Sequence, residues 1–241
     1  MMKILRITSA SLIITAAACS SLTAGSIGFG FNLGLTYDQN GLEPEISRLN
    51  TRLIKYEAAN TGTDMTRLNI PYSPVIGVNM RYSHNNLIIR TGLHYARTFI
   101  YAPSGNIAPP ASPDNRIRFD SYAATVPLNL MLSIQPFSGA SIYAGPGAGA
   151  TISKIMITQS APNGFLSPDE PSLTYEGKNI SWNWITGIEV PVGERAAFTA
   201  EWIWQSALSG SSESTETGHR RPVNSSCSII LFGYNYYLRI D

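Results

Sequence analysis

The residues able to do chemistry in this 241-residue chain are few and scattered. The three histidines are His84, His94 and His219, and the two cysteines are Cys19 and Cys227. A metal site needs several ligands brought together, usually announced by short spacings between them, and these five residues show none. Hydrolytic chemistry needs a nucleophile, a histidine and an acid in one constellation, yet the segment HYA (94–96) has no serine beside His94. The reading is therefore of a protein that is not an enzyme, with no cofactor and no metal. More informative is a sparse set of charges lying in glycine-bearing apolar segments: Arg81, Arg90, Glu189 and Glu201. What these charges do depends on the elements that hold them.

Those elements have a period of two. In SIGFGFNLGLTY (26–37), Ile27, Phe29, Phe31, Leu33, Leu35 and Tyr37 alternate with Ser26, Gly28, Gly30, Asn32, Gly34 and Thr36, which is a strand with its bulk on one face. The same pattern recurs in IPYSPVIGVNMRY (70–82), LIIRTGLHYA (87–96), SYAATVPLNLMLSIQ (121–135) and SIYAGPGAGATIS (141–153). It returns in ISWNWITGIEV (180–190), AFTAEWIWQ (197–205) and SIILFGYNYYLRI (228–240), giving eight candidate strands. Arg81, Arg90, His94, Asn129, Glu189 and Glu201 all fall on the small, glycine-bearing face, and the bulky face carries almost no charge.

The connections alternate as well. SHNN (83–86), PFSGA (136–140) and PVGER (191–195) are short turns, whereas 38–69, 102–120, 154–179 and 206–227 are long and polar. Strands of about ten residues with short turns at one end and long loops at the other form the pattern of an outer-membrane barrel. The expected fold is all-β: an eight-stranded antiparallel up-and-down transmembrane barrel with four long extracellular loops, short periplasmic turns and both termini periplasmic. A soluble up-and-down barrel or a β-sandwich also alternates. Either would have to pack rows of Trp, Phe and Leu into a narrow interior and show water a face with few charges. Charged residues make up only 14% of the chain, against roughly 25% in soluble domains, which fits a surface that is not all wetted. A net charge of +1 without any basic run gives no case for nucleic acid.

The first 24 residues read as a secretory signal peptide: Lys3 and Arg6, then the apolar SLIITAAA (11–18), then small residues. The domain expected to follow spans 25–241. Two exits from the export machinery remain open, namely cleavage near Ala18 or Ala24, and lipid attachment at Cys19 in AAAC. No later run is long and apolar enough for a membrane helix.

With these segments in view, the chain resembles the small eight-stranded outer-membrane barrels that include outer-membrane proteins A, X and W. The likeness is carried by VPLNLML (126–132) with IYAGPGAGA (142–150), and by WNWITGIEV (182–190) with FTAEWIW (198–204). It implies outer-membrane lipid and the barrel assembly machinery as partners, although the chain ends YNYYLRID rather than in an aromatic residue; Tyr236 or Tyr237 would stand in for it. A barrel of eight strands has just enough room inside for side chains. Arg81, Arg90, His94, Asn129, Glu189 and Glu201 are thus expected to form a paired polar network in the lumen. Tyr37, Tyr72, Tyr95 and Trp182 near the long loops, and Tyr82 near a short turn, are expected as interfacial aromatics. The segment 44–60 has Ile46, Leu49, Leu53 and Ile54 at helical spacing, which suits either an amphipathic helix over the mouth or a solvated loop with one helical turn. Two functions follow. One is a filled barrel that supports the membrane or meets an extracellular or host ligand through its loops; the other is a narrow channel for small, hydrophobic solutes, as in outer-membrane protein W.

Overall fold

The computed structural model describes residues 25–37, 72–103, 116–137, 139–159, 172–214, 220–221 and 226–240, together with 47, 50, 51, 54 and 55. The period-two segments form β1 (Gly25–Tyr37), β2 (Ser73–His84), β3 (Leu87–Pro103), β4 (Arg116–Phe137), β5 (Ala140–Gln159), β6 (Ser172–Pro191), β7 (Ala196–Ser214) and β9 (Cys227–Ile240), with β8 (Arg220–Arg221) a two-residue strand. From β1 to β7 each strand pairs antiparallel with the next, then β7 pairs with β9 and β9 with β1, as at Gly30↔Asn235. The sheet therefore closes into an eight-stranded ring, and no barrel strand is left with an open edge along the shared ladder. β8 pairs with β7 at Ser212↔Arg221.

Tight reversals join the strands at one end of the ring. Asn85 (φ 51°) occupies the left-handed region, which asparagine tolerates better than most residues, and Gly193 (φ 87°) meets the same need between β6 and β7.

Alternation then sorts the side chains by face. Along β1, Phe29, Phe31, Leu33 and Leu35 are 48–52% exposed, whereas Asn32 and Thr36 are buried. Along β6, Trp182, Trp184 and Ile188 are exposed while Ser181, Asn183 and Ile185 are buried. The core lies inside the ring, and its polar members outnumber its apolar ones among the described residues. Val75, Ile88, Met131, Ile185, Ile203, Ile229 and Leu231 share that interior and pack together there.

The strands depart from the sequence expectation in length. They run from 12 residues in β2 to 22 in β4, so much of 102–120, 154–179 and 206–227 is strand rather than connection. An antiparallel ladder is held by its backbone, and polar side chains on the neighbouring strand extend it without penalty. Lys154, for example, faces Glu176 across β5 and β6 at 2.9 Å. Between β1 and β2, Ser47, Asn50, Thr51, Ile54 and Lys55 are helical and Ile54 is half exposed, while Ile46, Leu49 and Leu53 lie outside the described residues. The segment 1–24 with Cys19, and most of 38–71, lie outside the described residues.

Candidate functional site

Two hairpins deliver charge to the lumen. Arg81 on β2 and Arg90 on β3 face each other directly across the Asn85–Asn86 turn, and alternation points both inward. Glu189 on β6 and Glu201 on β7 flank the 192–195 turn offset by two residues, Glu189 opposite Thr199 and Glu201 opposite Gly187, and alternation points both inward. In a ring of eight, β2 and β3 stand opposite β6 and β7, so the cations and the carboxylates meet across the lumen.

Arg81 sits at the centre of this meeting. Its Nη1 donates to Glu189 Oε2 at 3.0 Å, and its Nη2 donates to the Tyr143 hydroxyl at 2.8 Å and to Glu201 Oε1. Arg90 Nη2 donates to Glu201 Oε2 at 2.9 Å and lies 3.2 Å from His94 Nε2. The Tyr143 hydroxyl also donates to Glu201 Oε1 at 2.7 Å, its ring lies under the Arg81 guanidinium at 4.9 Å, and the Tyr237 hydroxyl donates to Glu189. Arg81 and Arg90 are 0% exposed. Two guanidiniums against two carboxylates leave the cluster formally neutral, which a low-dielectric interior requires.

Small residues make the room. A Cβ on Gly187 would lie 2.6 Å from the Tyr143 ring and hydroxyl, and one on Gly28 would lie 2.6 Å from the Tyr237 ring. Each tyrosine thus crosses a neighbouring strand at its glycine. On the side of this cluster away from the short turns, the lumen changes from charges to amides and hydroxyls. Asn79 Nδ2 donates to Asn32 Oδ1 at 3.2 Å, Asn129 donates to Asn183, and Thr125 and Thr151 share a hydrogen bond of 2.9 Å.

A wall that shows half-exposed Phe, Leu and Trp outside and buries arginine inside inverts the arrangement of a water-soluble barrel. Closure satisfies the backbone, so the apolar outer face is suited to lipid. The chain is a membrane-spanning β-barrel of the outer-membrane type.

No protein-family model matches this barrel, and no curated protein matches it. Solved structures do. Neisserial surface protein A is 9% identical over 88% of this chain and 96% of its own, with a TM-score of 0.42. Ail, the attachment invasion locus protein of Yersinia pestis, solved with the heparin analogue sucrose octasulfate, is 13% identical over 90% of this chain and 100% of its own, with a TM-score of 0.44. A major outer membrane protein from Thermus thermophilus is 8% identical over 88% of this chain and 99% of its own, with a TM-score of 0.49. At these identities the likeness is one of architecture, and the placement in a membrane rests on the barrel's own wall and lumen.

The sequence-derived set divides in this structure. Arg81, Arg90, His94, Glu189 and Glu201 form one cluster, whereas Asn129 bonds to Asn183 in the amide layer instead of joining the charges. Tyr143 and Tyr237 were missing from that set. Alternation places both on the inward face, which was a usable signal, but tyrosine reads as an outer-face residue when judged by type alone. Among the expected interfacial aromatics, Tyr72 is 63% exposed, and Tyr95 stacks on Tyr122 at 6.3 Å between centroids. Tyr37 is half-buried at the end of β1. Trp182 sits in mid-strand rather than at a strand end, edge-on to Trp204 at 4.7 Å. Tyr82 departs from expectation: it is 2% exposed, because its ring and hydroxyl pack within 2.9 Å of where a Cβ on Gly25 would sit. A glycine at the start of β1 admits the ring against the wall, so Tyr82 does not present itself at an interface. His84 lies at the first turn beside Asn85, and His219 lies outside the described residues.

Proposed function

We propose that this barrel is a non-conducting outer-membrane protein that supports the membrane or acts through its long connections on an extracellular or host ligand. The observation that carries this reading is the cross-lumen cluster. Arg81 and Arg90 reach from one wall to Glu189, Glu201 and Tyr143 on the other, and both guanidiniums are wholly buried. Solute passing through would have to break paired charges in a low-dielectric interior, at several kcal/mol. Buried apolar side chains, among them Met131 and Leu231, pack together in the same interior. On this reading the long connections face outward from the cell, both chain ends are periplasmic, residues 1–24 direct export, and the assembly machinery inserts the barrel. On this reading the protein is not an enzyme, and His94 is an interior histidine beside Arg90.

Planar-bilayer recording tests the closed lumen. Purified wild-type protein is expected to give no reproducible single-channel steps. Steps of constant size that change with Glu201→Ala or Arg90→Ala would replace this reading with the narrow channel. Binding of target cells by bacteria displaying the barrel, and its loss when 44–60 is replaced by a Gly/Ser linker of equal length, tests the role of the connections.

A further inference from the structure

Gly30 stands between two asparagines. It pairs with Asn79 on β2 and with Asn235 on β9, so it lies where the first and last strands of the ring meet. With only hydrogen on Gly30, the two carboxamides lean in over the intervening strand: a Cβ there would collide with Asn235 Oδ1 and lie 2.7 Å from Asn79 Nδ2. Gly233 serves Asn32 on β1 and Thr199 on β7 in the same manner, since a Cβ on it would collide with Asn32 Oδ1 and lie 2.7 Å from Thr199 Oγ1. Four strands thus deliver Asn32, Asn79, Thr199 and Asn235 to one group inside the lumen, each side chain buried.

The group does not satisfy itself. Asn79 Nδ2 donates to Asn32 Oδ1 at 3.2 Å and Asn235 Nδ2 donates to Thr199 Oγ1 at 3.4 Å, which leaves Asn32 Nδ2, Asn79 Oδ1 and Asn235 Oδ1 without a partner in the protein. Each amide meets one neighbour through one end, so whichever way it is turned its other end is left over. Buried polar ends of this kind are costly when bare, and ordered water is their usual partner.

The three ends specify what fits them. Two are acceptors and one is a donor. A water molecule can donate to Asn79 Oδ1 and Asn235 Oδ1 and accept from Asn32 Nδ2, about three bonds being typical of a buried water. A cation would be turned toward the Asn32 amide hydrogens, and an anion would meet two amide oxygens. Either would also bring a net charge into a lumen whose ionic cluster is already balanced.

We propose that Asn32, Asn79 and Asn235 hold one structural water over Gly30, joining β9 to β2 across β1 at the seam where the ring closes. The site depends on the closed ring alone and is independent of whether the lumen conducts.

Water-selected nuclear Overhauser spectra of the nitrogen-15-labelled barrel, refolded in zwitterionic micelles, test this. The Asn32 side-chain amide, assigned by its disappearance in Asn32→Leu, is expected to show a cross-peak at the water frequency. Its sign relative to the diagonal should differ between laboratory-frame and rotating-frame experiments, which marks contact with a long-lived water rather than proton exchange. Thr199→Val removes the hydroxyl bonded to this group and should leave the cross-peak in place. Asn79→Leu with Asn235→Leu removes both acceptors and should abolish it. Absence of the cross-peak from wild-type protein, or its persistence in the double variant, overturns the site. So does its loss in Thr199→Val, which would trace the signal to the hydroxyl. The wild-type and Thr199→Val spectra decide the matter even where the double variant fails to refold. Heat-dependent gel migration reports the ring itself, and its absence from wild-type protein would overturn the ring and the site with it.

Discussion

Glu201→Gln isolates one charge in the lumen while keeping the shape of the side chain. Glu201 is the carboxylate of both Arg81 and Arg90, and it accepts the Tyr143 hydroxyl as well. After the change Arg81 keeps Glu189, at 3.0 Å, but Arg90 has no carboxylate in the cluster. One buried guanidinium is then uncompensated rather than two. Breaking a buried pair in this way costs about 3–5 kcal/mol. Glu189→Gln is the internal comparison: its side chain is 20% exposed and Arg81 retains Glu201, so the loss should be nearer 1.5–3 kcal/mol, roughly the worth of a hydrogen bond to a charged group. Urea unfolding of the refolded barrel in lipid vesicles, followed by tryptophan emission, reads both variants, since all four tryptophans lie on the outer wall of β6 and β7. Replacing the pair as a whole, with Arg90→Met and Glu201→Leu together, should recover most of the loss, because Arg81 and Glu189 remain balanced. A Glu201→Gln barrel within about 1 kcal/mol of wild type, or a double variant no more stable than the single one, would refute the view that charge pairing across the lumen governs stability.

The packing of tyrosine over glycine gives a second expectation. Gly187→Ala should cost about 1–3 kcal/mol by pushing the Tyr143 ring off its carboxylate, and Tyr143→Leu in the same chain should make the alanine nearly neutral, which a double-mutant cycle in urea would show. The wall gives a third. Leu130→Arg should destabilise by about 2–4 kcal/mol, whereas Ile134→Arg, close to the β4–β5 turn, should cost about 1 kcal/mol or less, because the penalty for an outward charge falls with distance from mid-membrane. Equal losses at the two positions in vesicle unfolding would argue against lipid around this wall.

Much of this protein is legible in one dimension because the side-chain period of a strand is two. SIGFGFNLGLTY assigns a face to every residue before any partner is known, and the same rule places Arg81, Arg90, Glu189 and Glu201 together on the inner side. Alternation says which face a residue takes but says nothing of its height along the barrel. Height comes from the register of eight ladders, which sets Asn129 directly beside Arg90, and only the side-chain contacts reveal that it bonds to Asn183 instead of joining the charges. The same register carries Tyr143 across Gly187 and Tyr237 across Gly28, so that two residues easily taken for outer-wall aromatics become donors to the lumen carboxylates. The ends of the strands were also decided in three dimensions. The polar stretches before Ser121 and past Ser153 look like connections when read singly, yet they pair because a neighbouring backbone is already in place. Sequence determined the faces, through local stereochemistry. Closure of the ring decided which inward side chains meet, because only a complete circuit of pairings brings β2 and β3 opposite β6 and β7.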